Sequence, residues 1–288
     1  MFGNACERAM KFTRPVITSL RHYDGSVSCT CGAFIVLNDD GWILTAGHIF
    51  DSFVAFQQNS KRIKEMEEQN SVHSARKGPK MKIDPKWITN HSFWWGWDKV
   101  LLNDGTVDRQ MDIAVGRLEP FDRKWITEYP TIKDPANMRP GTSLCKLGFP
   151  FSSINATFDE STKAFKLADK TLPLPLFPLE GMHTRNIATG KNREGVDMLY
   201  VETSSPGLRG QSGGPMFDKD CNICGIQLRT NHMPLDFKAE TTIDGKKVTE
   251  NQFLNLGVGL HAKSIVDFLR KRNIEFNLEG GSQYRIIS

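Results

Sequence analysis

Short apolar runs separated by polar, turn-rich segments recur along most of this 288-residue chain. Runs of about 4–8 residues bounded by Gly, Asn and Asp are strand-length rather than helix-length. Residues 28–37 alternate, with Cys29, Cys31, Ala33, Ile35 and Leu37 on one face. Asn38-Asp39-Asp40-Gly41 is a strong turn signal, so Trp42–Ala46 is predicted to return as a hairpin partner. Further strands are predicted over residues 53–57, 112–118, 144–150, 198–203, 216–217, 223–229 and 254–260. Near the end the period changes. Ile265, Phe268 and Leu269 share one helical face, Ser264-Ile265-Val266-Asp267 fits a capping box, and Lys271 and Arg272 suit a helix C-terminus.

Other stretches break the strand pattern. Residues 1–24 are mixed and polar and read as a short arm or helix on the outside. Residues 59–98 read as an insertion. Within them, residues 61–68 carry both signs of charge, and Lys77, Lys80, Lys82 and Lys86 form a basic stretch broken by Pro79 and Pro85. Phe93-Trp94-Trp95-Gly96-Trp97 reads as rings packed onto the main body, with partner binding as the alternative. Residues 121–140, with three prolines, read as a connection. Residues 172–178 alternate Pro with apolar residues and are predicted to be an extended loop, because Pro cannot donate to a ladder. Residues 190–195 read as a hairpin tip, and 231–251 as a flexible loop.

Composition narrows the function classes. Hydrophobic residues at 39% and charged residues at 24% suit a soluble globular protein with a substantial core. A net charge of +4 is too slight to argue for nucleic acid. No stretch approaches the ~20 apolar residues of a membrane span. The N-terminal residues 1–8 lack a basic start followed by an apolar run, so no secretory signal is read. The expectation is a cytoplasmic protein whose six cysteines are thiols. Cys29-x-Cys31 and Cys221-x-x-Cys224 could supply four zinc ligands, but lack glycine-rich knuckles; buried thiols are the preferred reading.

The chemistry centres on residues 207–216. Gly210-Gln211-Ser212-Gly213-Gly214-Pro215 sets one hydroxyl among three glycines. A serine hydroxyl becomes a nucleophile only beside a base, with donors waiting for the oxyanion. Glycine lets the chain turn so that the amides of Gly210 and Ser212 could aim at one point. His48 is the candidate base, because the strand 42–46 and a small-residue turn present its ring. Asp112, at the start of an apolar strand, is the candidate orienting carboxylate; Asp98, Asp104 and Asp108 lie in more polar, turn-like sequence.

In chain order these are His48, Asp112 and Ser212, separated by 64 and 100 residues. With Leu44-Thr45-Ala46-Gly47-His48, Asp112-Ile113-Ala114 and Gly210-Gln211-Ser212-Gly213-Gly214-Pro215, the chain resembles the chymotrypsin-like (trypsin-like) serine peptidases over about residues 25–275. The absence of evident cysteine pairs makes it look more like bacterial or viral intracellular members. The resemblance implies an all-β fold of two six-stranded antiparallel barrels, with the site in the cleft between them and a closing C-terminal helix. The expected organisation is an arm (1–24), a first barrel (25–125) carrying the insertion, a connection (126–143), a second barrel (144–261), and a helix with tail (262–288).

It also implies a serine endopeptidase acting through an acyl-enzyme. His48, Asp112 and Ser212 would be catalytic, and the amides of Gly210 and Ser212 would form the oxyanion hole. The substrate pocket would draw on Pro206, Leu208, Arg209, Leu228, Arg229, Thr230, Gly259 and His261. No acidic residue falls near Pro206 at the pocket base, so a Lys/Arg preference is not supported. Gln211 departs from digestive relatives, where an aspartate pairs with a new N-terminus after cleavage; activity independent of N-terminal processing is expected. The chemistry needs no metal or organic cofactor. The expected partner is a protein or peptide substrate, with a regulatory protein as a further option; no membrane or nucleic-acid partner is expected. The alternative is a catalytically silent, peptidase-like module that binds peptides. A nucleic-acid reading would rest on Lys77 to Lys86 and the Trp cluster.

Overall fold

The computed structural model describes residues 2–75, 81–243, 246–281 and 283–284. After helix α1 (Gly3–Phe12), a first sheet is built from β1 (Thr13–His22), β2 (Val27–Val36), β3 (Trp42–Ala46), β4 (Ile88–Trp94), β5 (Leu101–Asp108) and β6 (Ile113–Glu119). Its order is β4-β1-β2-β3-β6-β5, antiparallel throughout. The predicted hairpin β2–β3 is present. Residues 13–22 are not an outer arm but a strand paired on both edges, with Thr18 and Ser19 buried alongside Val16 and Ile17. Those two hydroxyl residues interrupt the apolar signal and so hid the strand.

The predicted strand at 53–57 is instead part of helix α2 (Asp51–Ala75). Phe50, Phe53 and Phe56 recur every three residues, a helical spacing, and meet His91 and Phe93 of β4. The rest of α2 is polar, with the strong helix formers Lys, Glu, Gln and Met. β4 also places residues 88–94 in the first sheet rather than in an insertion. The aromatic run packs inward: Trp95 meets Phe34 edge-on at 5.6 Å, and Trp97 stacks on Trp125 at 4.8 Å.

The second half contains β7 (Thr131–Ile132), β8 (Ser143–Gly148), a small hairpin of β9 (Ala156–Asp159) and β10 (Ala164–Leu167), β11 (Phe177–Lys191), β12 (Asp197–Thr203), β13 (Pro215–Phe217), β14 (Asn222–Ile243) and β15 (Lys246–His261). The order β13-β8-β11-β12-β15-β14 is closed by a β13–β14 ladder, which makes a six-stranded barrel. β16 (Phe276–Leu278) and β17 (Gln283–Tyr284) extend the sheet beyond β7. Residues 231–243 and 246–251 form a two-stranded ribbon rather than a loop, with a register shift between Pro234 and Lys238. Its strands lack the one-sided apolar alternation of a barrel strand, although Thr241, Thr242 and Val248 favour extended backbone.

Helix α3 (Ala262–Lys271) buries Ile265, Phe268 and Leu269 as predicted. Its N-cap is His261, whose Nδ1 accepts the Lys263 amide at 3.0 Å. Ser264 does not cap the helix; its hydroxyl donates to the Asp197 carbonyl and accepts the Leu199 amide.

The two halves meet through backbone at the turn that carries Ser212. The Ala33 amide of β2 donates to the Ser212 carbonyl at 2.8 Å. A Cβ on Gly213 would lie 2.3 Å from the Ala33 carbonyl oxygen and 2.3 Å from Thr45 Oγ1, and Gly213 has φ +80°. Only glycine fits both the space and the backbone there. On the other side of the barrel, Lys146 of β8 is fully buried. Its Nζ donates to the carbonyls of Ser205 and Pro206 at 2.6 and 2.7 Å and to Thr203 Oγ1 at 3.2 Å. Burial pushes this ammonium down to about 7.

Gly213→Ala is expected to destabilise the fold by about 2 kcal/mol or more, because strain and overlap act together. A fall in Tm of roughly 5 °C measures it; an unchanged Tm would contradict the tight docking. For Lys146, the folded state releases its proton near pH 7, well below the ordinary lysine range. Above that point the unfolded chain binds more protons, so stability should rise from pH 7 towards about 10. Urea titrations should show this rise in the wild type and its loss in Lys146→Met.

Candidate active site

β3 ends at Ala46, and a 3₁₀ turn, Gly47–Phe50, then lifts His48 out of the sheet. Space beside Gly47 is tight: a Cβ would sit 3.1–3.3 Å from Ile113 N and from Asp112 atoms. The Gly47 amide donates to the Asp112 carbonyl at 3.0 Å. Asp112 immediately precedes β6 and takes a left-handed backbone, φ +57°. Asp tolerates that region better than most residues. The turn before it is shaped by Asp108 Oδ1, which accepts the amides of Gln110 and Met111.

This geometry selects one carboxylate. Asp112 Oδ1 accepts the His48 amide at 2.7 Å, and Oδ2 lies 2.9 Å from His48 Nδ1. The histidine is thus held by backbone and ring together, with the ring hydrogen directed to Asp112. The alternatives are engaged elsewhere. Asp98 accepts the Trp94 indole, Asp104 pairs with Arg117, and Asp108 Oδ2 accepts from Asn192 Nδ2 at 2.6 Å. The last contact ties the Asp112 turn to the β11–β12 hairpin. Arg193, whose amide donates to Gln110 Oε1 at 2.8 Å, and Tyr200, whose hydroxyl donates to the Gln110 carbonyl at 3.2 Å, reinforce it.

His48 and Ser212 line one cavity of about 750 Å³ between the halves, together with Gly210 and Arg209. Among the described residues no hydrogen bond joins the Ser212 hydroxyl to His48. In sites without substrate, such contacts are often long and tighten only when the substrate is bound. Gly210 has φ +94°, and a Cβ there would lie 2.4 Å from the Phe149 carbonyl oxygen. The amides of Gln211, Gly213 and Gly214 donate to Leu208, Gln227 and Gln211 carbonyls respectively. The amides of Gly210 and Ser212 donate to no protein acceptor among the described residues, leaving two adjacent donors unspent. Gln211 is buried, and its Oε1 accepts the Leu208 amide at 3.0 Å, so a neutral side chain holds this turn.

A second cavity of about 450 Å³ adjoins Ser212. Six of the expected pocket residues line it: Pro206, Leu208, Arg209, Leu228, Arg229 and Thr230. Thr230 clasps it by accepting the Gly207 amide and donating to the Gly207 carbonyl. Gly259 and His261 are not in its lining. Gly259 faces Met216 and Ile226 inside the barrel, and His261 is buried as the cap of α3. His232 and Asn255, which the sequence reading assigned to no pocket, complete the wall. The predicted loop at 231–251 concealed His232; only recognition of the ribbon would have found them. Lys146, behind Pro206, had a visible signal: a lone charge inside the apolar strand Leu144-Cys145-Lys146-Leu147.

The cysteines fall in separate places. Cys29 and Cys31 line the larger cavity, while Cys221 and Cys224 are buried in the second half. Burial pushes the thiols of Cys31 and Cys221 up to about 12. No group of three or more His, Cys, Asp or Glu among the described residues could hold a metal ion. Nor does any described helix have the length and apolarity to cross a membrane. Lys77 and Lys80 of the basic stretch lie outside the described residues.

Comparison with known proteins places this geometry in a family. No curated protein matches the sequence. Among solved structures, the active form of the Rv3671c protease from M. tuberculosis aligns at TM-score 0.50 and 13% identity, over 96% of this chain and 88% of that one. The HtrA-type protease AlgW, solved with a tripeptide, aligns at TM-score 0.49 and 14% identity, over 94% of this chain. This chain spans 63% of the length of that protein. Residues 30–226 match the trypsin-like peptidase domain, a span that runs from β2 through the histidine and serine turns to β14. The chain therefore belongs to the trypsin-like peptidase family.

Proposed function

We propose that the protein is a serine endopeptidase that cleaves peptide bonds through an acyl-enzyme, with His48, Asp112 and Ser212 as its catalytic residues. One observation carries this reading: the His48 ring, locked to Asp112 through Nδ1 and through its own amide, shares a cavity with Ser212. With Nδ1 occupied, Nε2 is the nitrogen available to the serine proton. Ser212 Oγ attacks the carbonyl carbon, His48 takes the hydroxyl proton, and the carbonyl oxygen becomes an oxyanion. The unspent amides of Gly210 and Ser212 receive that charge. Collapse of the tetrahedral intermediate breaks the C–N bond as His48 returns the proton to the leaving amine. Water then repeats the sequence on the acyl-enzyme. Asp112 stabilises the imidazolium formed in each half and fixes its tautomer.

Gln211 bears on control. Its amide oxygen holds the turn at Leu208 without a buried charge, which supports activity that does not wait for a new N-terminus. Protein or peptide substrates are the partners proposed here, in keeping with the match to the trypsin-like peptidase domain.

A fluorophosphonate probe tests the nucleophile. Labelling of the wild type and none of Ser212→Ala is expected, with turnover falling by about 10⁶; a folded wild type that resists labelling would favour a silent peptide-binding module. Asp112→Asn should keep the fold but lower kcat by roughly 10⁴, because the ring would then be held in the wrong tautomer. Full activity in that variant, measured on the same peptide, would remove Asp112 from the mechanism.

A further inference from the structure

The cavity of about 450 Å³ beside Ser212 has an uneven charge. Arg209, Arg229 and His232 line it, and among the described residues no Asp or Glu does. The larger cavity, which shares Leu208, Arg209 and Ser212 with it, likewise has no acidic lining residue among those described. Several guanidiniums elsewhere on the molecule are paired, among them Arg8 with Glu128, Arg21 with Glu160, Arg117 with Asp104, Arg185 with Glu202 and Arg272 with Glu194. Neither Arg209 nor Arg229 has an ion-pair partner among the described residues. Arg229 instead lies over the Tyr200 ring, 5.2 Å from its centroid. That contact fixes the guanidinium in place through its face, leaving its N–H edge for an acceptor.

Lys146 Nζ sits directly behind Pro206, 2.7 Å from its carbonyl oxygen, and its three acceptors are all uncharged. Burial favours its neutral form above about pH 7, so the positive charge of the pocket rests on the two arginines. The remaining polar side chains of the lining are largely engaged within the protein, and Gln227 Nε2 donates to the carbonyls of Arg229 and Val258. His232 Nδ1 and Asn255 Oδ1 are 2.6 Å apart, and Thr230 is spent on the Gly207 clasp. A cationic side chain would meet two guanidiniums and no carboxylate. A neutral amide would fit the volume but leave the charge unanswered.

We propose that this pocket receives an acidic side chain, Glu or Asp, of the substrate residue whose carbonyl Ser212 attacks, and that Arg209 and Arg229 are the residues that select it. This rests on the serine-peptidase reading, and the larger cavity would then hold the chain beyond the scissile bond. Arg–carboxylate contacts are directional and among the strongest hydrogen bonds available in a site. A carboxylate should therefore be preferred over its isosteric amide by tenfold or more.

The test compares fluorogenic peptides that differ only in the residue before the scissile bond: Glu, Asp, Gln, Asn, Leu or Lys. For the wild type at low salt, kcat/KM for Glu should exceed that for Gln at least about tenfold, and the ratio should shrink as salt screens the pair. Arg209→Gln and Arg229→Gln should each lower the Glu/Gln ratio several-fold, and the double variant should bring it near one. Arg229→Lys should retain part of the preference. Should no peptide be turned over, protection of Ser212 from the fluorophosphonate by the Glu peptide over the Gln peptide gives the same comparison. A labelled enzyme that treats Glu and Gln alike, or prefers Leu or Lys, overturns the acidic pocket and leaves the peptidase standing. Absence of both labelling and cleavage overturns the two together.

Discussion

The close contact between Gly213 and the β2–β3 hairpin is the constraint on which the rest depends. The turn that carries Ser212 belongs to the second barrel, while His48 and Asp112 belong to the first sheet. No covalent link holds these halves in register near the site. They are registered by backbone: the Ala33 amide bonds the Ser212 carbonyl, and Gly213 enters a notch between the Ala33 carbonyl and Thr45. β3 runs from Thr45 directly into the turn that presents His48. The spacing of His48 and Ser212 is thus set by a few main-chain atoms rather than by long side chains. Gly214, whose Cβ would lie 2.1 Å from the Leu147 carbonyl oxygen, fixes the other side of the same turn.

A second tie acts from the carboxylate side. Asp112 holds His48, and its turn is in turn held by Asn192, Arg193 and Tyr200 across the interface. The segments that carry His48 and Asp112 are therefore each tied to the other half. Such ties restrict the ring before any ligand arrives, as the proposed mechanism requires. The turn at Gly210–Ser212 follows the same logic, since Gln211 bonds within it and keeps its neighbours' amides free.

Much of this was legible in the residues. The glycines around Ser212, the small-residue turn after Trp42–Ala46 and the aspartate at the head of an apolar strand each had a local physical reason. The hairpin β2–β3 and helix α3 followed from period and turn chemistry. What escaped was non-local. β1 carries buried Thr18 and Ser19, so its polarity disguised a strand paired on both edges. α2 reads as a strand over 53–57 only if Phe50, Phe53 and Phe56 are not recognised as a helical series facing β4. The β14–β15 ribbon is not apolar on one face, so alternation gave no sign of it, and with it went His232. Gly259 and His261 illustrate the opposite error: they sit on the expected strand, but point into the barrel and to the cap of α3.

The most direct measurement is a crystal structure of the phosphonylated enzyme. The expected result is a bond from Ser212 Oγ to phosphorus, a phosphoryl oxygen within hydrogen-bond distance of the Gly210 and Ser212 amides, and His48 Nε2 facing Ser212 Oγ with Asp112 still on Nδ1. An adduct on another residue, or one on Ser212 with the imidazole turned away and those amides empty, would contradict it.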